Sequence, residues 1–295
     1  MNSNIEKYFT VIVPVFNDTE RLKKCLKSLN NQTLEKSLFN IIVVNNNEEE
    51  FLDLDLQEYK NLKIIYEPEK GSYASRNKGI TFSKTEILAF TDSDCLPDEN
   101  WLINAKKYFD NDLNKEIGVL TGPVPLFFKQ VGKLTSAELY EKYTGFDFKS
   151  YASEGACGAG NWFSYKAVLE EFGGFNSKLR SNGDTELSKK ISRKYRIIYA
   201  EDIIVRHPAR DSISSVVFKY QRLMGGVYQR KFKSKPLSFF VYLLNFILRR
   251  FKFMSKKIFT VSLKDSYAIN MVCIAIIFGV SLEYFRLIFH FEPKR

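Results

Sequence analysis

Asp92-Ser93-Asp94 places two carboxylates two residues apart, directly after the apolar run ILAFT at 87–91. Carboxylates so placed can converge on one hard divalent cation. Magnesium and manganese favour oxygen ligands and often bridge protein carboxylates to substrate phosphates. Alone the pattern is common, since aspartates in solvated turns produce it too. Asp184, in the sequence Asn182-Gly183-Asp184, precedes an amphipathic stretch. A carboxylate there suits two roles, a general base for an acceptor hydroxyl or a helix N-terminal residue favoured by the macrodipole. Glu186 is its local competitor. His207 is one of two histidines; a neutral imidazole there could ligate a metal or simply pack. Arg76 offers a planar fork for a diphosphate or half of an ion pair, and Arg210 and Arg222 are further candidates for phosphate contacts. The Gly-rich stretch at 155–161 has no GxxxxGK[ST] pattern, and no GxGxxG follows the first apolar run, so neither a P-loop nor a Rossmann dinucleotide site is indicated. Small residues there would let a substrate approach the backbone.

These residues need elements to hold them. TVIVPVF at 10–16, the runs at 41–44 and 62–66, and ILAFT read as buried strands. Leu22, Cys25, Leu26 and Leu29 repeat at helical spacing after Asp18 or Thr19, and 75–82 reads as a second helix. Alternating strands and helices predict an α/β fold with a mixed, mostly parallel sheet. In such sheets ligands bind beyond the carboxyl ends of strands, where Asn17, Asn45 and Asp92 fall. Further helices are expected near 133–143, from 184 and over 212–231, with strands at 197–199 and 203–205.

The apolar share of 45% and charged share of 26% are those of a globular protein. Cys25, Cys95, Cys157 and Cys273 are scattered without CxxC spacing, so neither a zinc site nor a disulfide framework is indicated. Free cysteines and a start lacking an apolar leader fit a cytoplasmic protein. Of the net charge of +10, residues 236–295 carry +6, with nine Lys/Arg against three Asp/Glu. The run at 237–248 is too short to span a bilayer, a basic cluster follows, and 266–282 is uncharged and mostly apolar. This combination predicts helices lying on an anionic membrane surface; a pair of core helices is the alternative. The globular part has no basic-aromatic motif for nucleic acid.

In order along the chain stand TVIVPVFN, SLNNQT, IIVVNN, GSYASRNKGI and ILAFTDSDC, then GACGAGNWF, GGFN, SNGDTEL and IIYAEDIIVRHPAR. The series resembles the family 2 glycosyltransferases of bacterial polysaccharide type, over roughly 8–230. The resemblance implies a GT-A (Rossmann-like) nucleotide-sugar domain at 1–235, with a donor-binding half at 1–117 and an acceptor half at 118–235. It leaves 236–295 as a membrane-associating helical region. It places Pro14, Val15, Phe16 and Asn17 beside the nucleotide base and ribose, and Arg76 and Asn77 near the donor. Asp92, with Ser93 beside it, would face the ribose or a metal-bound water. Asp94 would bind Mn2+ or Mg2+, with His207 a further candidate ligand, and Asp184 would be the catalytic base. Asn45 stands where many relatives carry a base-pairing aspartate, which puts uracil as the base in question. The implied reaction moves a sugar, with inversion, from a nucleoside-diphosphate sugar to a glycan or lipid-linked acceptor at the inner face of the cell membrane. A catalytically silent nucleotide-sugar-binding protein and a nucleotidyltransferase of similar fold are the alternatives.

Overall fold

The four apolar runs of the first hundred residues form one parallel block. Strands β1 (Phe9–Val15), β2 (Phe39–Asn45), β3 (Leu62–Tyr66) and β4 (Ile87–Phe90) pair in parallel in the order β3-β2-β1-β4. Every residue of β1 and β4 is buried. Strands covered on both faces need no apolar-polar alternation, which is why these read as continuous apolar runs. Helix α1 (Thr19–Asn30) buries Leu22, Cys25, Leu26 and Leu29, the four positions its spacing singled out. Helix α2 (Ser72–Phe82) starts three residues before the expected position and seats closely on β1. A Cβ at Gly79 would lie 2.5 Å from Ile12 Cγ2.

The structure, a computed structural model, describes residues 7–52, 54, 59–130, 132–179, 181–289, 291, 292 and 294. Beyond β4 come the two-residue strand β5 (Leu96–Pro97), helix α3 (Trp101–Asp110) and strand β6 (Ile117–Thr121). Strand β7 (Leu126–Phe127) and helices α4 (Ser136–Lys142) and α5 (Phe148–Ser153) follow. The sheet is completed by β8 (Trp162–Tyr165), antiparallel to both β4 and β6, and β9 (Arg196–Tyr199), parallel to β6. The order β3-β2-β1-β4-β8-β6-β9 is thus mixed but mostly parallel. Helices α6 (Lys166–Glu171) and α7 (Gly183–Ile191) flank the turn at 173–176. Strand β10 (Val205–Pro208) pairs antiparallel with β5, Val205 opposite Pro97 and Arg206 opposite Leu96. The expected strand at 203–205 is therefore displaced toward His207.

The chain divides into two compact units. One holds the chain up to Pro125, Phe146–Lys178 and Gly183–His207; the other holds Leu126–Gly145, Leu179–Asn182 and the chain from Pro208 onward. In the second unit, α8 (Ile213–Val227), α9 (Pro236–Thr260) and α10 (Leu263–Ile288) share a core with α4 through Tyr140, Met224, Phe239, Leu243 and Ile276. Helix α9 runs 12 residues past the apolar segment that ends at Leu248, through the basic cluster. Two of those cations explain this. The Arg250 guanidinium lies 4.9 Å from the Tyr220 ring, and Lys257 Nζ lies 3.7 Å from the Tyr143 ring. Their charged ends thus pack on aromatic faces instead of breaking the helix. Glu283 likewise does not end α10, because it is buried against Arg286 at 2.7 Å.

Candidate active site

The site lies in the first unit, at the carboxyl end of β4. Thr91 extends the strand by donating to Ile12 O at 3.4 Å, and the chain then turns through Asp92, with Cys95 N bonded to Asp92 O at 3.0 Å. Asp92 accepts a hydrogen bond from Arg76 Nη2. The Arg76 side chain is only 4% exposed, with the rings of Tyr73 and Phe175 at 5.7 and 5.8 Å from its guanidinium. Arg76 is thus held in a buried ion pair with Asp92, not spread on the surface. Its Nε has no hydrogen-bond partner among the described residues, a donor left for an anion.

The short β5–β10 pairing carries His207 to the same place. His207 Nε2 stands 3.9 Å from Asp94 Oδ2, and the imidazole meets the Phe146 ring edge-on at 5.0 Å. Ligand atoms of Asp94, Cys95 and His207 all lie within 4.8 Å of one another. Cys95 is the member missed in reading the sequence; its position beside Asp94 was the available signal. Burial, then Asp94 and Asp92, push its thiol well above the ordinary range. Beside it, Asp94 and His207 offer an oxygen and a nitrogen donor, a mixed set that would suit manganese better than magnesium. Asp92, expected as a further ligand, turns to Arg76 and is not in this group. Arg21 Nη1 also approaches Asp94 Oδ2, at 3.6 Å.

Asp184 sits in the first turn of α7 and is held from three sides. Ala159 N donates to Oδ2 at 3.1 Å; Thr185 N and the Tyr73 hydroxyl donate to Oδ1 at 2.9 and 3.2 Å. Gly183 permits this, since a Cβ there would lie 2.8 Å from Tyr73 Cε2. Burial, then Asp184, push the Tyr73 hydroxyl above its usual range, so it stays a donor. The competitor Glu186 pairs with Lys190 at 2.8 Å on the helix surface.

The Gly-rich segment ties both carboxylates together. Ala159 N bonds Asp184, while a Cβ on the adjacent Gly160 would lie 3.1 Å from Asp92 Oδ2. Gly160 therefore makes room for Asp92, and Ala159 holds Asp184 through its backbone N–H. Asn161 anchors the segment: its Oδ1 accepts from Trp101 Nε1 at 3.0 Å and its amide donates to Ile203 O at 2.8 Å.

The remaining expected residues divide. Pro14 and Val15 lie buried at the end of β1, Phe16 is exposed, and Ser93 is half-buried. Asn17 adopts φ 49°, a left-handed conformation that asparagine tolerates, and its N–H donates to Asn47 Oδ1 at 2.7 Å. Asn45 is fully buried and used by its own loop. Its amide donates to Glu49 O and Glu50 O, and its Oδ1 accepts from Asn47 N. Asn77 brackets the 173–175 turn, donating to Phe175 O at 2.6 Å and accepting from Phe175 N at 2.8 Å. Both amides therefore shape the loops around the site. In the second unit, Arg210 pairs with the buried Glu141 at 3.0 Å, beside Lys219 at 2.9 Å; Arg222 is half-buried on α8.

Residues 10–169 match the model of the family described as glycosyl transferase family 2. The chain is 33% identical over 210 residues to Glycosyltransferase AglE of Haloferax volcanii, covering 69% of this chain and 67% of that protein. It is 32% identical over 108 residues to the Poly(ribitol-phosphate) beta-N-acetylglucosaminyltransferase TarP of Staphylococcus aureus, 35% of this chain and 33% of that one. Among solved structures, the mannosyltransferase PcManGT from Pyrobaculum calidifontis in complex with GDP-Man and Mn2+ superposes with a TM-score of 0.63 at 15% identity, covering 95% of this chain and 87% of that one. S. aureus TarS 1-349 in complex with UDP-GlcNAc superposes with a TM-score of 0.53 at 16% identity, covering 95% and 91%. Both likenesses concern the fold, which is GT-A.

Proposed function

This chain belongs to glycosyl transferase family 2, and from that premise we propose that it moves a sugar, with inversion, from a nucleoside-diphosphate sugar to a hydroxyl of a glycan or lipid-linked acceptor in surface polysaccharide synthesis. One observation carries the reading: Ala159 N bonds Asp184 and the adjacent Gly160 leaves room for Asp92, while Asp94 beside them meets His207. A base for the acceptor and the groups for a donor diphosphate are thereby joined through one short segment. Residues 1–117 would bind the donor, 118–235 would present the acceptor, and 236–295 would associate with the inner face of the membrane.

Asp94 and His207 would hold a divalent cation, most suitably Mn2+, which supplies charge neutralisation for the departing nucleoside diphosphate. Arg76, with its free Nε and its fixed position between two rings, adds positive charge on the donor side and orients Asp92. Asp184 takes the proton of the acceptor hydroxyl as oxygen attacks the anomeric carbon, a contribution of ~10²–10⁴-fold. Its three hydrogen-bond donors fix the direction in which the carboxylate faces. PcManGT and TarS were solved with GDP-Man and with UDP-GlcNAc respectively, so guanosine and uridine donors are the first to test.

The test is a panel of nucleotide sugars incubated with Mn2+, with Mg2+ or with EDTA, scored for nucleoside diphosphate released. Release that needs the cation and a particular donor supports the reading. Release of pyrophosphate in place of nucleoside diphosphate would make the chain a nucleotidyltransferase. Saturable donor binding without any turnover on a glycan acceptor panel would make it a binding protein.

A further inference from the structure

Helix α9 has three faces instead of two. Phe239, Leu243 and Phe246 are buried in the core of the second unit. A second face exposes Leu237, Val241, Leu244, Leu248 and Phe251, spaced four, three, four and three residues apart, so they form one stripe along the helix. On a third face Asn245, Arg249, Lys252 and Lys256 follow at the same spacing, all exposed. No acidic residue occurs anywhere in Pro236–Thr260.

Helix α10 repeats the exposed stripe. Tyr267, Met271, Ile274, Phe278, Leu282 and Phe285 are exposed at spacings of four, three, four, four and three, with Phe278 67% accessible. The two helices meet beside the stripes at the buried Tyr284, whose ring lies 6.2 Å from the exposed Phe240 of α9 and 5.5 Å from Phe285. A monomeric soluble protein rarely exposes contiguous apolar surface on this scale, so the stripes call for an occupant.

Charge identifies it. The apolar stripe of α9 is flanked by cations without a single anion, the arrangement of a helix lying in the headgroup region of an anionic leaflet. A second copy of this chain would bring the same cations and the same net +10 against this face. The orientation also follows. Helix α10 is long and apolar enough to cross a bilayer, with a mean hydropathy of 2.0 over its best window. Yet its other face is packed on α4, α8 and α9, with 44% of that window buried, and it carries the buried Glu283. Its partner α4 spans only Ser136–Lys142 and carries Glu138, Glu141 and Lys142, so it cannot cross a bilayer beside α10, and α10 meets lipid by lying in the plane.

We propose that α9 and α10 form an in-plane hairpin that docks the protein on an anionic bilayer, with the apolar stripes in the acyl boundary and Arg249, Lys252 and Lys256 among the headgroups. This rests on the membrane-surface reading above and specifies its face, its depth and its lipid.

The experiment is vesicle flotation of the full chain with phosphatidylcholine alone or with added phosphatidylglycerol. Binding is expected to require the anionic lipid and to weaken with salt. Each basic side chain near such a leaflet contributes about fivefold in affinity. Replacing the row together, Arg249→Glu, Lys252→Glu and Lys256→Glu, should therefore weaken binding by at least ~100-fold. Phe278→Glu should also detach the protein, and Lys84→Glu, at an exposed position of the first unit, should not; circular dichroism confirms that each variant is folded. Failure of the folded wild type to float with anionic vesicles overturns the proposal, as does flotation unchanged in the row and Phe278 variants. Self-association that Phe278→Glu abolishes, without vesicle binding, assigns the face to a second copy and overturns it too. Donor hydrolysis measured without lipid on the same preparations separates the two readings. Intact hydrolysis without flotation removes only the hairpin, whereas flotation without hydrolysis with any donor upholds the hairpin and removes only the proposed reaction.

Discussion

Asp184→Asn is nearly isosteric, so its consequences follow from three hydrogen bonds. Oδ1 accepts from Thr185 N and the Tyr73 hydroxyl, and Oδ2 accepts from Ala159 N. An asparagine that keeps its oxygen toward Thr185 and Tyr73 turns its NH2 against Ala159 N–H, donor facing donor. One bond to a carboxylate is lost and one backbone N–H is left without its acceptor, a cost of about 1–3 kcal/mol in stability. Flipping the amide moves the conflict to Thr185 N–H, while the Tyr73 hydroxyl can rotate to accept from the NH2. The chemical loss is separate: without a base the acceptor hydroxyl keeps its proton, and turnover should fall by ~10²–10⁴-fold. Donor affinity should hold, because Asp92, Arg76, Asp94 and His207 are untouched. Calorimetric titration with nucleoside diphosphate and Mn2+, initial rates with saturating donor and acceptor, and denaturant unfolding measure the three quantities on one preparation. A variant that loses the expected stability but keeps turnover within tenfold of wild type would show that Asp184 only anchors α7, and the base assignment would fall.

Arg76→Ala should cost about 1.5–3 kcal/mol, the range for a hydrogen bond to a charged group, since Asp92 loses its partner; unfolding in urea checks this, and nucleoside diphosphate affinity should fall with it. His207→Ala should weaken Mn2+ binding by at least about tenfold, because even outer-shell partners of a metal are worth that much; Mn2+ paramagnetic resonance titration reads it directly, and unchanged affinity would remove His207 from the metal set. In the second unit, burial raises the Glu141 carboxyl, but Lys219 and Arg210 outweigh it and hold it below its ordinary value. A depressed folded value gives stability that is fully present above the unfolded pKa of ~4.3 and is lost as pH falls through the folded one. Unfolding free energies measured between pH 6 and pH 3 (roughly the window around that value) should therefore drop more steeply in wild type than in Glu141→Gln.

Much of the fold of the first hundred residues was legible because its signals are local. The four apolar positions of α1 and the runs that became β1, β2, β3 and β4 depend on burial patterns within a dozen residues. The positions of Asp92 and Asp94 beyond a buried strand and of Asp184 in the first turn of a helix were legible by type and setting. What was hidden depends on distant partners. Nothing in WFSY announces that β8 enters the sheet antiparallel between β4 and β6. The two-residue β5–β10 pairing that carries His207 to Asp94 is too short to carry a periodic signal. The extent of α9 was obscured because charge within a sequence reads as an interruption, whereas Arg250 and Lys257 lay their charged ends on tyrosine rings contributed by α8 and the end of α4. Asn45 and Asn77 were expected near the donor; their amides are taken up by neighbouring backbone, a choice that depends on loop conformation alone.

Helix α2 holds Tyr73 and Arg76, and through them it touches both aspartates: Tyr73 bonds Asp184 and Arg76 bonds Asp92. Three residues of helix rise about 4.5 Å, so this one turn acts as a fixed gauge between Asp184 and Asp92, the proposed acceptor and donor sides. A slide or roll of α2 would displace both contacts in the same sense, and Gly79, pressed on Ile12, restrains that motion. Redesign of acceptor preference should therefore leave Ser72–Phe82 alone and work through the loops that face it. A change in the gauge itself would detune the two halves of the reaction together.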